Sequence, residues 1–234
     1  EYHIIAPDLL WFGDSKDQRT PSLEVQVEAI KLLMEEKEIA SSHVIGLSYG
    51  GFVGLGLAKQ YPVDSLILVG VGGWKFSEKD ISAIKDRFQV ENLEEIFVPR
   101  KKDDIRTLLD ICFYTPTYLV PKQLSDDLYG TVFGKYPEQQ ELLLRELISN
   151  HKGYSQKQDL IQDSRILLII GETDPLFSVN QAKDLSTALD AELLIYGKAD
   201  HVPNVGYRRK FSRDVNGFIE KMQETVEASE RKEE

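Results

Sequence analysis

The residue in this chain best suited to chemistry is a serine set between glycines. Gly46-Leu47-Ser48-Tyr49-Gly50-Gly51 contains the pattern G-x-S-x-G. Composition alone yields such a match about 0.07 times in a chain of this length, so the surroundings decide what it means. The motif follows the apolar run His43-Val44-Ile45 and opens a helical stretch over 52–61. That is the strand–turn–helix setting that exposes a serine hydroxyl on a strained turn. Glycines at 46 and 50 are expected because the strand and helix backbones pass close to the nucleophile. The helix N-terminus adds N–H groups and a positive dipole end where an oxyanion would form. The plainer reading is a tight or phosphate-binding turn; the setting favours a nucleophile.

A bare serine attacks poorly and needs a base steadied by a third group. On this architecture the chain order is serine, acid, histidine. Beyond Ser48 there are two histidines, His151 and His201. His201 sits in Lys198-Ala199-Asp200-His201-Val202-Pro203, just past the apolar run 193–196. His151 lies among polar residues and reads as a solvated surface side chain. His3 and His43 precede strands and read as structural. For the acid, Asp174 in Gly171-Glu172-Thr173-Asp174-Pro175 follows the run 166–170. It therefore lies at a strand's carboxyl end, where open α/β sheets build their sites. Turn chemistry at Asp-Pro is its plainer reading. Glu172 ranks second as the acid and Asp200 third.

The elements that must position these residues are five short apolar runs, at 3–6, 43–46, 66–71, 166–170 and 193–196. Continuous β-branched and leucine character marks strands covered on both faces. Between them, Leu23, Val27, Ile30 and Met34 recur at helical spacing after Thr20-Pro21, a cap followed by proline at the first helical position. Phe211, Val215, Phe218 and Met222 repeat that spacing near the end. Strands alternating with helices predict an α/β fold with a doubly wound, mostly parallel sheet. One gap, residues 72–164, spans 93 positions where the others span 36 or fewer. A crossover helix does not need that length. The gap is rich in aromatics, among them Phe113, Tyr114, Tyr118, Tyr129, Phe133 and Tyr136, and reads as an inserted helical lid over 74–160. The α/β core is then 1–73 and 161–222, and the charged tail 223–234 is expected to fray.

Composition narrows the function classes. The chain has 234 residues, 28 Lys plus Arg against 39 Asp plus Glu, and a net charge of −11. No basic face is suggested, so nucleic acid is not an expected partner. A single cysteine, Cys112, excludes a disulfide framework and a cysteine-based metal cluster. No run approaches the roughly 18 apolar residues of a membrane span. The expected partner is a small molecule and the expected compartment the cytoplasm; oligomeric state is not legible. Phe12, Trp74 and Phe177 near strand ends, with Val202 and the lid aromatics, are expected to line an apolar substrate pocket. Ordinary core packing is the alternative for each.

At this point the sequence resembles the α/β-hydrolase superfamily. The resemblance runs from Tyr2 to about Met222. It rests on Pro7-Asp8-Leu9-Leu10-Trp11-Phe12-Gly13-Asp14-Ser15, the turn around Ser48, Gly171-Glu172-Thr173-Asp174 and the loop at His201. The motif details look most like the monoacylglycerol-lipase-like and plant hydrolase branch, and are similar to hydrolases that cleave carbon–carbon bonds in ring-fission products. The resemblance implies a lidded serine hydrolase without cofactor or metal, with Ser48 as nucleophile, Asp174 as orienting acid and His201 as base. It assigns one oxyanion donor, the backbone N–H of Tyr49. Ester hydrolysis is the leading expectation, carbon–carbon cleavage by the same residues the rival, and a non-catalytic binding protein on this scaffold the third reading. Two departures stand out. Val205-Gly206-Tyr207-Arg208 replaces the family's Glu and Pro after the histidine. The family's first strands and its His-Gly oxyanion loop lie upstream of 3–6, so these 234 residues alone are expected to be poorly soluble and to have negligible esterase activity.

Overall fold

A computed structural model describes residues 2–72, 77–112, 120–150 and 165–233. Four strands, β1 (Ser42–Leu47), β2 (Val63–Val69), β3 (Arg165–Gly171) and β4 (Glu192–Tyr196), form one sheet in the order β1-β2-β3-β4. All three pairings are parallel, with Ile45 opposite Ile67, Leu66 opposite Ile166 and Leu168 opposite Leu193. Beyond their first two residues, β2 and β3 are buried at every position. This is why their sequences read as unbroken apolar runs rather than alternating ones.

Alternation along the strands splits the core into two layers. Leu66, Leu68, Ile166, Leu168 and Ile170 face α1 (Leu23–Glu36), α2 (Tyr49–Ala58) and α8 (Val179–Leu189). Ile67, Val69, Leu167 and Ile169 face Val215, Phe218 and Ile219 of α10 (Arg208–Glu233), which follows the single-turn α9 (Pro203–Gly206). Each layer follows from the two-residue period of a strand meeting the apolar stripe of a helix. The described part of the long gap after β2 is mostly helical. It holds α3 (Glu78–Phe88), α4 (Glu94–Phe97), α5 (Asp104–Cys112), α6 (Lys122–Leu128), a π-helical turn (Tyr129–Phe133) and α7 (Pro137–Asn150). Ile84, Ile96 and Leu147 from this segment join the first core layer. Among the described residues no helix is long and apolar enough to cross a membrane.

Three expectations need correction. The run 3–6 is no strand: residues 2–9 are irregular, and Ile4 is 81% exposed. Apolar β-formers become a strand only where a neighbouring edge supplies a ladder; here Tyr2 instead packs edge-on to the His43 ring at 6.4 Å. Helix α1 is capped by Ser22, whose Oγ accepts from Val25 N–H at 3.2 Å, so the cap lies two residues past Thr20 and Pro21 stands outside the helix. The charged stretch after 222 is not separate from the last helix: α10 runs through it to Glu233.

The base of the loop after β4 is closed by a polar cluster. Tyr196, almost fully buried, donates its hydroxyl to Asp214 Oδ2 at 2.7 Å, and Lys210 Nζ reaches the same oxygen at 2.6 Å while lying 3.5 Å from the tyrosine ring centre. Burial pushes the Tyr196 phenol up, and the carboxylate beside it pushes further. Burial alone would raise Asp214, but the bonds from Lys210 and Tyr196 outweigh it and hold that carboxyl below its ordinary 3.8. A group held low stabilises the fold above its unfolded pKa and loses that contribution as it protonates. Asp214→Asn should therefore lower the unfolding free energy at pH 7 by about 1–2 kcal/mol in urea titrations. The gap to the native chain should narrow as the pH falls below 3.8. A gap unchanged at low pH would show that the carboxylate charge contributes nothing.

Candidate active site

The parallel register ends all four strands at one rim, and each candidate residue leaves the sheet there. β1 runs directly into Ser48, which stands at the N-cap of α2 with φ +49° and ψ −118°. A side chain on that side of backbone space costs about 1–3 kcal/mol, so the surroundings must impose it. They do so through Ser48 N–H, which donates to Val69 O at 2.8 Å, and Gly51 N–H, which donates to Ser48 O at 2.9 Å. The close approach expected at positions 46 and 50 is real at Gly46, where a Cβ would stand 2.5 Å from Gly50 O. At Gly50 the expectation is wrong, since nothing lies within 4 Å of a Cβ there. The tight neighbour is Gly51, whose Cβ would meet Val71 Cγ2 at 2.3 Å.

Past β3, Asp174 is buried with its carboxylate fully enclosed. Its Oδ1 accepts from Leu176 N–H at 2.8 Å and Phe177 N–H at 3.0 Å. Its Oδ2 faces His201 Nδ1 at 3.0 Å. Past β4, His201 is 3% exposed, and its Nε2 lies 2.8 Å from Ser48 Oγ. Since a carboxylate can only accept, Nδ1 carries the ring proton and Nε2 is left to accept from the serine hydroxyl. The two rival acids are engaged elsewhere. Glu172 Oε2 accepts from Lys198 N–H at 3.1 Å, and Asp200 Oδ1 accepts from Val202 N–H at 3.4 Å. Burial pushes the Asp200 carboxyl up, and the neighbouring Asp174 adds to this against the pull of its own hydrogen bonds.

The other candidates are distributed around this centre. Tyr49 opens α2 next to Ser48. The Phe177 ring lies 5.9 Å from the His201 ring, tilted by 35°, and Val202 is buried beside it in sequence. Phe12 packs edge-on to Phe133 of the inserted segment at 6.0 Å. Trp74, Phe113, Tyr114, Tyr118 and His151 lie outside the described residues. His43 Nδ1 is bonded to Ser65 Oγ at 2.9 Å. Among the described residues no group of three or more His, Cys, Asp or Glu side chains could hold a metal ion.

Several residues that matter to this arrangement carry no sequence motif. Gln26, fully buried, clamps the backbone of Leu10 through both amide atoms at 2.9 Å each. Gln140 Nε2 donates to Trp11 O at 2.9 Å and Phe133 O at 3.1 Å, and Gly13 N–H donates to Val132 O at 3.0 Å. Together these tie the loop of residues 10–14 to α1 and to the inserted helices. Gly70 lies beneath the histidine with φ +61°; a Cβ there would stand 2.4 Å from His201 O and 3.2 Å from its Nδ1. The glycines after β2 were the available signal for that contact.

Gly70→Ala and Gly50→Ala make a paired test of this packing. The first should destabilise the fold by about 2–3 kcal/mol, from the left-handed backbone and the collision with the histidine loop. The second, on an open helix position, should be neutral or stabilise by up to about 1 kcal/mol. Urea midpoints measure both, and equal tolerance of the two would contradict the packing.

The model of a family described as having the alpha/beta hydrolase fold matches residues 1–205. Lipase 3 of Moraxella sp. (strain TA144) is 26% identical over 227 residues, which are 93% of this chain and 69% of that protein. Among solved structures, a putative lipase from Acinetobacter baumannii aligns with TM-score 0.78 at 24% identity, over 95% of this chain and 76% of that one. A meta-cleavage product hydrolase from Pseudomonas fluorescens aligns with TM-score 0.73 at 22% identity, over 92% and 79%.

Proposed function

The chain belongs to the α/β-hydrolase fold family, and from that premise we propose that it hydrolyses a carboxylic ester with an apolar acyl or aromatic part. The observation that carries this reading is the His201 ring held between two partners, Ser48 Oγ at 2.8 Å and Asp174 Oδ2 at 3.0 Å. Ser48 is the nucleophile. As its Oγ attacks the ester carbonyl carbon, His201 Nε2 takes the hydroxyl proton. The resulting imidazolium is stabilised by Asp174, whose second oxygen is pinned by two backbone N–H groups and cannot swing away. Collapse of the tetrahedral intermediate expels the alcohol, which receives the proton from His201. Water, deprotonated by the same ring, then releases the acid and restores Ser48.

The Tyr49 amide, at the N-terminus of α2, faces the developing oxyanion in this scheme and supplies one donor. Phe12, Phe177 and Val202 form the apolar side of the substrate site, and the helices from α3 to α7 cover it as a lid. That cover is supported by Arg87 Nη1, which bonds Pro175 O at 3.2 Å, beside the Asp174 turn. The lipase among the relatives supports an ester over other acyl substrates.

The test uses the natural full-length protein with a fluorophosphonate probe and p-nitrophenyl esters. Ser48 should be labelled and Ser48→Ala should not. Ser48→Ala and His201→Ala should each lower kcat by at least about 10⁴, and Asp174→Asn by on the order of 10⁴. Absence of labelling in the native protein would point to a binding scaffold. Faster turnover of a ring-fission dienoate than of any ester would move the reading to carbon–carbon cleavage.

A further inference from the structure

Asp174 and His201 stand on different loops, so their 3.0 Å contact is only as constant as the alignment of those loops. Four further hydrogen bonds join the two loops. Glu172 N–H donates to Tyr196 O at 2.9 Å, and Lys198 N–H donates to Glu172 Oε2 at 3.1 Å. Ala199 O then accepts twice from one residue: from Thr173 N–H at 2.9 Å and from Thr173 Oγ1–H at 2.8 Å. Thr173 directly precedes Asp174, and Ala199 lies two residues before His201. A single bond to a carbonyl leaves the peptide free to swivel about the bond. Two donors converging from one residue fix its orientation as well as its distance. Neighbouring Lys198 has φ +55°, a turn a lysine does not favour, so this loop needs an external hold.

We propose that the Thr173 hydroxyl is a positioning group for the acid–base pair, acting through the Ala199 carbonyl to hold His201 against both Asp174 and Ser48. It touches no reacting atom. The proposal rests on the reading of Ser48, His201 and Asp174 given above. Thr173 itself is exposed while Ala199 is buried. Loss of the hydroxyl bond therefore changes the geometry of a buried peptide with little effect on the stability of the whole fold.

Thr173→Val keeps the side-chain shape and the backbone donor and removes the hydroxyl; Thr173→Ser keeps the hydroxyl. In the natural full-length protein, Thr173→Val should lower kcat on a p-nitrophenyl ester and the rate of fluorophosphonate labelling at Ser48 by about 10-fold, with KM within about twofold. Thr173→Ser should stay within about twofold of the native protein in both, and Tm should move by no more than about 2 °C in either variant. Native rates in Thr173→Val would overturn the proposal. So would equal impairment in the serine variant, which would assign the effect to the lost methyl group, or a loss of rate that tracks a loss of folded protein. Ser48→Ala, measured alongside, separates the two levels. If it keeps turnover, the reading of the site fails and the positioning role fails with it. If it is dead while Thr173→Val is native, only the positioning role fails.

Discussion

One imidazole ring meets a serine hydroxyl at 2.8 Å and a carboxylate at 3.0 Å, and the serine is 153 positions away in sequence. Both contacts can exist only if the loops leaving β1, β3 and β4 reach one point. The parallel register supplies that condition, because strands paired Leu47 to Val69, Val69 to Ile169 and Gly171 to Tyr196 end at a common rim. An antiparallel pairing at any of these steps would send one of the three residues to the opposite end of the sheet. The two apolar layers matter to the site for this reason: they fix the register, and the register fixes the rim.

At the rim the chain carries local backbone strain at Ser48, whose φ is +49°. Ser48 is held in left-handed backbone space by β2 and by the first turn of α2, and glycines stand where any side chain would collide. Gly46 and Gly51 let strand and helix close around the serine; Gly70 lets the histidine loop lie on the end of β2. Gly50 points into open space, on the outer side of the turn. The packing is therefore tight where backbones cross, at Gly46, Gly51 and Gly70, and open at Gly50.

Legibility from sequence followed the range of the interactions. The buried strands and the turn at Ser48 depend on neighbours within a few residues, so continuous apolar runs and a glycine pattern were enough to mark them. Ser48, Asp174 and His201 were singled out because each follows such a run, and the fold brings them into contact. The run 3–6 misled because strand formation needs an edge to pair with, which composition does not report. The cap moved from Thr20 to Ser22, since several residues there can cap and tertiary packing of Leu23 selects among them. Gln26, Gln140 and Thr173 were invisible. Each bonds to a backbone atom 16 to 129 positions away, and a polar residue gives no sign in sequence of which carbonyl it will meet.

On the proposed mechanism Ser48 carries the acyl group during turnover. The most direct measurement is peptide mapping by mass spectrometry after acid quench of the natural full-length protein turning over a p-nitrophenyl ester. The expected result is an acyl ester on the peptide containing Ser48, formed and lost at rates consistent with turnover. An acyl group on another residue, formed at those same rates, would contradict it.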